Sequence, residues 1–86
     1  MPKIVEIPEG TIILKPGCID PDTDYIYLPK SLKRIKANAI RLYEPRPDTF
    51  HYAGTLMEAL HKITIEEPND ILVINCADGN RWVHKL

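Results

Sequence analysis

An internal repeat constrains this chain more than any other feature of its sequence. When the segment that begins at Tyr25 is moved back by 21 residues, it aligns with the segment that begins at Ile4. Apolar positions, a lysine and a proline recur in both copies, as the pairs Val5 and Ile26, Ile7 and Leu28, Pro8 and Pro29, Leu14 and Ile35, Lys15 and Lys36, Cys18 and Ala39, and Ile19 and Ile40. One such unit is too short to bury its own apolar side, so the repeat predicts coils that stack into a solenoid.

Each unit has the pattern of a strand, a corner and a return segment. Tyr25 to Leu28 is rich in β-branched and aromatic residues, which favour a strand. Pro29 ends this strand because proline has no N–H to donate to a sheet ladder. A third unit is expected after a loop at 43–48, where Phe50 to Tyr52 aligns with Ile26 to Leu28 at an offset of 24 residues.

The rest of the chain predicts one short helix and one hairpin. Thr55 suits the N-cap of a helix. Ile71 to Cys76 favours a strand, Ala77-Asp78-Gly79-Asn80 is a hairpin signal, and Trp82 to His84 would form the closing strand. The apolar side of the helix is expected to hold Leu56, Met57, Ala59, Leu60 and Ile63.

Length and composition predict a small protein that is a single domain, residues 1–86. We expect repeat units at roughly 3–21, 22–45 and 46–67, followed by a C-terminal cap at 68–86. No apolar run is long enough to span a membrane and no signal peptide is recognisable, which predicts a cytoplasmic protein. In that compartment Cys18 and Cys76 are expected to be reduced thiols buried in the core.

Two groups of motifs resemble the BspA-type leucine-rich repeat family. The first is Ile-Pro-Glu-Gly at 7–10 and Leu-Pro-Lys-Ser-Leu at 28–32, each followed by spaced apolar residues. The second is Tyr-Ala-Gly-Thr at 52–55 and Cys-Ala-Asp-Gly at 76–79, which are similar to the terminal unit of the family. The sequence departs from the family pattern at Ile19 and Ile40, where the family has Phe, at Lys15 and Lys36, where it has Gly, and at Leu60, where it has Trp.

The resemblance covers roughly residues 3–80 and implies an α/β solenoid, a short β-rich stack of leucine-rich-repeat-like coils with one short helix and a C-terminal hairpin. Family members are often long, secreted proteins that act in adhesion or partner binding. This chain has neither that length nor an export signal, so the resemblance implies partner binding rather than adhesion.

No constellation in the sequence predicts catalysis, a metal site or a cofactor. The spacing of His51, His61 and His84 matches no compact zinc motif. Asp20-Pro21-Asp22-Thr23-Asp24 begins like a calcium loop, but Tyr25 and Ser31 stand where an EF-hand needs Gly and Glu. We therefore expect an acidic corner there, no metal, no cofactor and a protein that is not an enzyme.

Strand alternation predicts which residues could meet a partner. If Val5, Ile26 and Phe50 point into the core, their neighbours point outward. The expected partner-binding residues are Glu6, Tyr25, Tyr27, Thr49, His51 and Asn75, with the two tyrosines foremost. The outward rows also contain Ile4 and Val73.

The predicted function is a non-enzymatic protein-binding module, an adaptor or an inhibitor of a partner protein. One alternative is nucleic-acid binding through a basic patch made of Lys30, Lys33, Arg34, Lys36, Arg41 and Arg46. Another alternative is a structural subunit of a larger assembly, such as a phage or mobile-element particle. The strand at Lys3 to Ile7 would form an exposed edge, which predicts a homo-oligomer that associates through it.

Overall fold

The first seven strands of the chain alternate between two sheets, so the chain winds as a small β-solenoid of about three turns, and the eighth strand pairs with the seventh. The computed structural model describes residues 1–84, and positions 85 and 86 of the expected cap lie outside the described residues. The elements are β1 (Ile4–Glu6), β2 (Ile13–Leu14), β3 (Tyr25–Leu28), β4 (Arg34–Ile35), β5 (Phe50–Tyr52), α1 (Leu56–Lys62), β6 (Thr64–Ile65), β7 (Val73–Cys76) and β8 (Arg81–Val83). The larger sheet has the strand order β1-β3-β5-β7-β8 and the smaller one the order β2-β4-β6.

The register of the parallel strands follows the repeat that the sequence predicts. Ile4 pairs with Tyr25 in the larger sheet at the 21-residue period, and Ile26 pairs with Phe50 at the expected offset of 24. In the smaller sheet, Arg34 pairs with Thr64, a longer interval because α1 lies between β5 and β6. The strand stack is therefore confirmed, while the described fold is mostly strand, with a single short helix among residues 1–84.

A side-chain hydrogen bond and the corners of the coils also follow the 21-residue repeat. The hydroxyl of Ser31 accepts a hydrogen bond from the Gly10 N–H and donates one to the Thr11 carbonyl, each at 2.9 Å. Gly17 and Asn38 occupy equivalent corners and both have left-handed backbones, with φ of 76° and 64°. Glycine adopts this conformation without steric cost and asparagine tolerates it, so both residue types suit the corner.

The hydrophobic core lies between the two sheets and includes residues from every coil of the stack. Ile26, Ile35 and Phe50 are fully buried, whereas Val5 and Ile7 of the first coil are only partly buried against the core. The inward orientation of these side chains is as expected. The other core residues are Leu14, Ile19, Leu28, Leu32, Ala39, Ile40, Leu42, Tyr52, Ala59, Ile63, Ile71, Ile74 and Cys76.

The helix begins where the sequence predicts, but its buried side is narrower. Thr55 forms a capping box, in which its hydroxyl accepts from the Glu58 N–H and the Glu58 carboxylate accepts from the Thr55 N–H. Ala59 and Ile63 are buried and Leu56 is partly buried, whereas Met57 and Leu60 are exposed. The prediction was wrong for the last two residues because Leu60 lies about 40° around the helix from Leu56, on the side away from Ala59.

The C-terminal hairpin is present with small shifts in its strand limits. β7 begins at Val73 rather than Ile71, and β8 spans Arg81–Val83 rather than Trp82 to His84. The prediction that both cysteines are buried is correct for Cys76 and wrong for Cys18, which is exposed. Cys18 belongs to the first coil, which has a neighbouring coil on one side only, so its position is less covered than the equivalent Ala39. Within residues 1–84, no helix has the length and apolar character needed to cross a membrane.

Candidate functional site

The outward face of the larger sheet carries one continuous row of polar and aromatic side chains. The register places Glu6 beside Tyr27, Tyr27 beside His51, and His51 beside Asn75. The antiparallel hairpin adds Arg81 beside Asn75, which the sequence reasoning missed. The Asp78-Gly79 turn in the sequence could have indicated this fifth position, because the length of a hairpin loop fixes the register of its two strands.

An aromatic pair stands in the middle of this row. The rings of Tyr27 and His51 are stacked, with centroids 5.0 Å apart and planes 20° apart. The ring of Tyr25 lies 6.5 Å from that of His51 in a tilted arrangement. A ring nitrogen of His51, Nε2, is 2.9 Å from the Asp48 carbonyl oxygen, which fixes the imidazole in this position. Tyr27 nevertheless keeps 41% of its surface exposed, so one aromatic face is ordered and still accessible.

Tyr25 also contacts an arginine that was predicted to belong to the basic patch. The Arg46 guanidinium lies 5.9 Å from the Tyr25 ring centroid, at a distance typical of a cation–π contact. The same guanidinium donates to Asp24 at 3.2 Å. The Arg46 guanidinium therefore packs on an aromatic side chain of the larger sheet and pairs with a carboxylate there.

Thr49 does not belong to this face, and the prediction that it points outward as a partner-binding residue was wrong. Only 1% of Thr49 is exposed. Its hydroxyl accepts from the Arg46 N–H at 3.2 Å, and its carbonyl accepts from the Ile26 N–H at 2.7 Å. Strand alternation failed here because β5 begins at Phe50, so Thr49 belongs to the preceding turn.

Asn75 lies in the row as predicted but is half-buried and structurally engaged. Its side-chain amide donates to the Pro47 carbonyl at 2.9 Å and to the Phe50 carbonyl at 3.0 Å. These bonds fix the loop before β5 to the next strand. Asn75 can therefore offer a partner its side-chain oxygen, while its NH₂ group positions the loop.

A shallow groove of about 290 Å³ adjoins the row where β3, β5 and β7 end. Burial raises the pKa of the Cys76 thiol, and that thiol donates to the Ile74 carbonyl. Burial also raises the pKa of Tyr52, with a smaller contribution from the Glu58 carboxylate. These groups are neutral near pH 7, so the groove suits an uncharged side chain. It is lined by Tyr27, Leu28, His51, Tyr52, Ala53, Asn75, Cys76 and Ala77.

The six residues of the expected basic patch do not form one surface. Arg34 lies in β4 of the smaller sheet, whereas Arg46 contacts Tyr25 of the larger one. Five of the six have carboxylate partners, in the pairs Lys30 with Glu58, Arg34 and Lys36 with Glu66, Arg41 with Asp70, and Arg46 with Asp24 and Asp48. The sixth, Lys33, is exposed. Five of the six cations therefore lie beside carboxylates, which reduces the positive charge that they offer to a phosphate backbone.

The acidic corner at 20–24 is bound to the N-terminal strand. The Lys3 ammonium lies 2.7 Å from the Asp20 carboxylate and 3.0 Å from that of Asp22, and these contacts raise the pKa of Lys3. The Lys3 N–H donates to Asp24 at 2.7 Å. These carboxylates therefore connect the first two coils. Within residues 1–84, no group of three or more His, Cys, Asp or Glu residues is arranged to hold a metal ion.

No protein-family model matches this chain, and comparisons with curated proteins and with solved structures also found no match. The resemblance to BspA-type leucine-rich repeats therefore stays a prediction from the sequence motifs.

Proposed function

We propose that this chain is a non-enzymatic protein-binding module, an adaptor or an inhibitor that covers part of a partner's surface. The contact surface would be the aromatic face, which consists of Glu6, Tyr25, Tyr27, His51 and Asn75. The observation that carries the proposal is the exposed stack of Tyr27 on His51 in the middle of the larger sheet.

The physical properties of the aromatic face suit a protein ligand. Tyrosine provides a large contact area with few rotatable bonds, which is why it is enriched among the residues that dominate binding energy. Here the conformational cost is lowered further, because the neighbouring ring and the Asp48 carbonyl already hold His51 in place. The face is therefore ordered before a partner arrives, and preorganisation improves affinity.

The groove beside the aromatic face could provide specificity. Its lining includes Tyr27 and His51 together with two small residues, Ala53 and Ala77. An uncharged partner side chain that enters the groove would contact the edge of the stacked rings. Pockets that combine apolar surface with a few polar groups are typical of such anchoring sites.

Affinity capture from cells of the source organism tests the proposal, with the tagged chain as bait and candidate partners identified by mass spectrometry. We expect a reproducible protein partner. Its affinity for the purified chain should fall about tenfold or more in the variant Tyr27→Ala, since truncated hot-spot residues commonly cost that much. Isothermal titration calorimetry with the purified partner would measure this loss.

Tyr43→Ala is the matched control, because Tyr43 is also an exposed tyrosine but lies in the loop at 43–48, outside the row. The control should bind the partner with unchanged affinity. Circular dichroism spectra of both variants should match that of the unmodified chain. The proposal is rejected if no protein partner is recovered, or if Tyr27→Ala and Tyr43→Ala bind the partner equally well.

A further inference from the structure

The first strand of the larger sheet has backbone groups that point away from the molecule. The Lys3 carbonyl accepts from the Tyr25 N–H, and the Ile7 N–H donates to the Tyr27 carbonyl. Along a strand, successive residues direct their backbone groups to opposite sides. The N–H and carbonyl groups of Ile4 and Glu6 are therefore directed away from β3, at the outer edge of β1.

The last strand has the same arrangement at the opposite end of the sheet. The Cys76 N–H donates to the Asn80 carbonyl, and the His84 N–H donates to the Leu72 carbonyl. By the alternation of an antiparallel pair, Trp82 bonds to β7, whereas Arg81 and Val83 direct their backbone groups away from it. Arg81 and Val83 therefore direct their backbone N–H and carbonyl groups outward at the edge of β8, as Ile4 and Glu6 do at the edge of β1.

The side chains at the two edges are also complementary. In the sheet register, Arg81 continues the row that begins at Glu6. Ile4 and Val83 lie two residues from this row on their own strands, so by strand alternation they point to the same face. All four side chains are exposed. Because β8 runs antiparallel to the other strands, β1 of a second copy would align antiparallel to it with no shift of register. Ile4 would then lie beside Val83, and Glu6 beside Arg81.

We propose that copies of this chain associate head to tail, with β1 of one copy added to β8 of the next. Each contact would form backbone hydrogen bonds between Ile4 and Val83 and between Glu6 and Arg81. It would also join an apolar pair and an oppositely charged pair, both of which stabilise adjacent strands. This inference does not depend on the partner proposed for the aromatic face.

The alternative pairing of two β1 strands is less favourable. Two-fold symmetry about Val5 would place the Glu6 carboxylate beside Ile4 of the other copy, with no opposite charge to meet it. A head-to-tail contact is instead heterologous, so each copy keeps one edge for a further copy and the association is open-ended. Such an array corresponds to the structural-subunit alternative predicted from the sequence.

Sedimentation equilibrium of the purified chain over a range of concentrations tests the proposal. We expect the average mass to rise with concentration beyond that of one chain. Glu6→Arg and Arg81→Glu should each lower the association constant about tenfold or more, because each places like charges side by side. An equimolar mixture of these two variants should associate again, since every contact between unlike variants then pairs opposite charges. Lys33→Glu, which changes an exposed charge away from both edges, is the control and should leave the association unchanged.

Proline variants test the backbone part of the contact. Ile4→Pro and Val83→Pro each remove an N–H that points outward, which an edge strand tolerates. Each should weaken association about tenfold while the thermal unfolding transition is retained. The proposal is overturned if the chain has the mass of a single copy at every concentration. It is also overturned if Ile4→Pro abolishes association and Val83→Pro does not, or if the charge-variant mixture fails to associate, since these outcomes indicate a different contact.

Discussion

The first and second coils have closely similar sequence patterns but different environments. Ile26 in the second coil is fully buried, whereas the equivalent Val5 is half-buried, and Ala39 is buried where Cys18 is exposed. The second coil has a neighbour on both sides, since β3 pairs with β1 and with β5. At these two pairs of positions, the place of a unit in the stack, and not its sequence pattern alone, decides how deeply a residue is buried.

The largest expected effect contrasts equivalent core positions of these coils. Ile26→Ala should lower the free energy of unfolding by about 3–4 kcal/mol, because it removes three methyl or methylene groups and leaves a cavity. Val5→Ala should cost only about 1 kcal/mol, since solvent already reaches that side chain. Urea unfolding monitored by circular dichroism would measure both values. Equal losses would contradict the difference between the coils.

A smaller effect is expected from the buried amide that connects the second coil to the C-terminal cap. Asn69 accepts from the Ile40 N–H at 2.8 Å and donates to the carbonyls of Lys36 and Glu66. Asn69→Ala should cost about 2–3 kcal/mol, because it leaves buried backbone groups without partners. Asn80→Ala, at an exposed position of the hairpin, is the control and should cost less than about 1 kcal/mol. A similar loss for both variants in urea unfolding would show that Asn69 does not have this role.

A smaller loss of stability is expected from substitutions at the equivalent corners of the first two coils, which Gly17 and Asn38 occupy. A Cβ added at Gly17 would meet no atom within 4 Å, so the cost of Gly17→Ala comes only from its left-handed backbone. We expect a loss of about 1 kcal/mol. Asn38→Gly should be nearly neutral, because glycine also adopts this conformation although the contact with Arg41 is lost. Thermal unfolding of both variants would measure the effects, and no loss for Gly17→Ala would contradict the assigned corner geometry.

The smallest expected effect is a loss of stability in acid. It arises from Glu66 and Glu58, which lie outside the first coil. The Arg34 side chain holds the pKa of Glu66 below its ordinary value of 4.5, and the Thr55 N–H does the same for Glu58. Both carboxyls bind protons more weakly in the folded state than in the unfolded state. Their stabilising contribution is therefore complete above the ordinary value and is lost as the pH falls through the lower, folded-state pKa.

Melting temperatures measured between neutral pH and about pH 3 would test this expectation. The unmodified chain should become less stable over the acidic part of that range, and Glu66→Gln should show a shallower decrease. Glu44→Gln removes the same charge from an exposed loop and serves as the control. If Glu66→Gln and the unmodified chain follow the same curve, the Arg34–Glu66 pair makes no contribution.

The sequence was sufficient to predict the stack and the orientation of its strands. A period of 21 residues and the alternation around Ile26 are local signals, and parallel pairing preserves both. The same alternation correctly placed Tyr27 and His51 on one outward row. These predictions were successful because each depends on residues in consecutive positions of a regular strand.

The sequence was not sufficient where contacts between distant segments decide the outcome. Thr49 is buried because its turn folds back on Ile26, and Leu60 is exposed because the short helix buries only one narrow side. The carboxylate partners of the basic residues come from other coils, as with Arg34 and Glu66. No local pattern around these residues carries that information, since it depends on how the coils are stacked.

Residue-resolved amide hydrogen exchange, measured by NMR on a dilute sample, tests the stacked arrangement most directly. The account predicts slow exchange for the Ile26 amide, which donates to Thr49 inside the sheet, and for the Ile7 amide, which donates to Tyr27. It predicts fast exchange for the Ile4 and Glu6 amides, which face outward from the first coil. Slow exchange at Ile4 and Glu6 in a monomeric sample, or fast exchange at Ile26, would contradict the proposed stack and its exposed first edge.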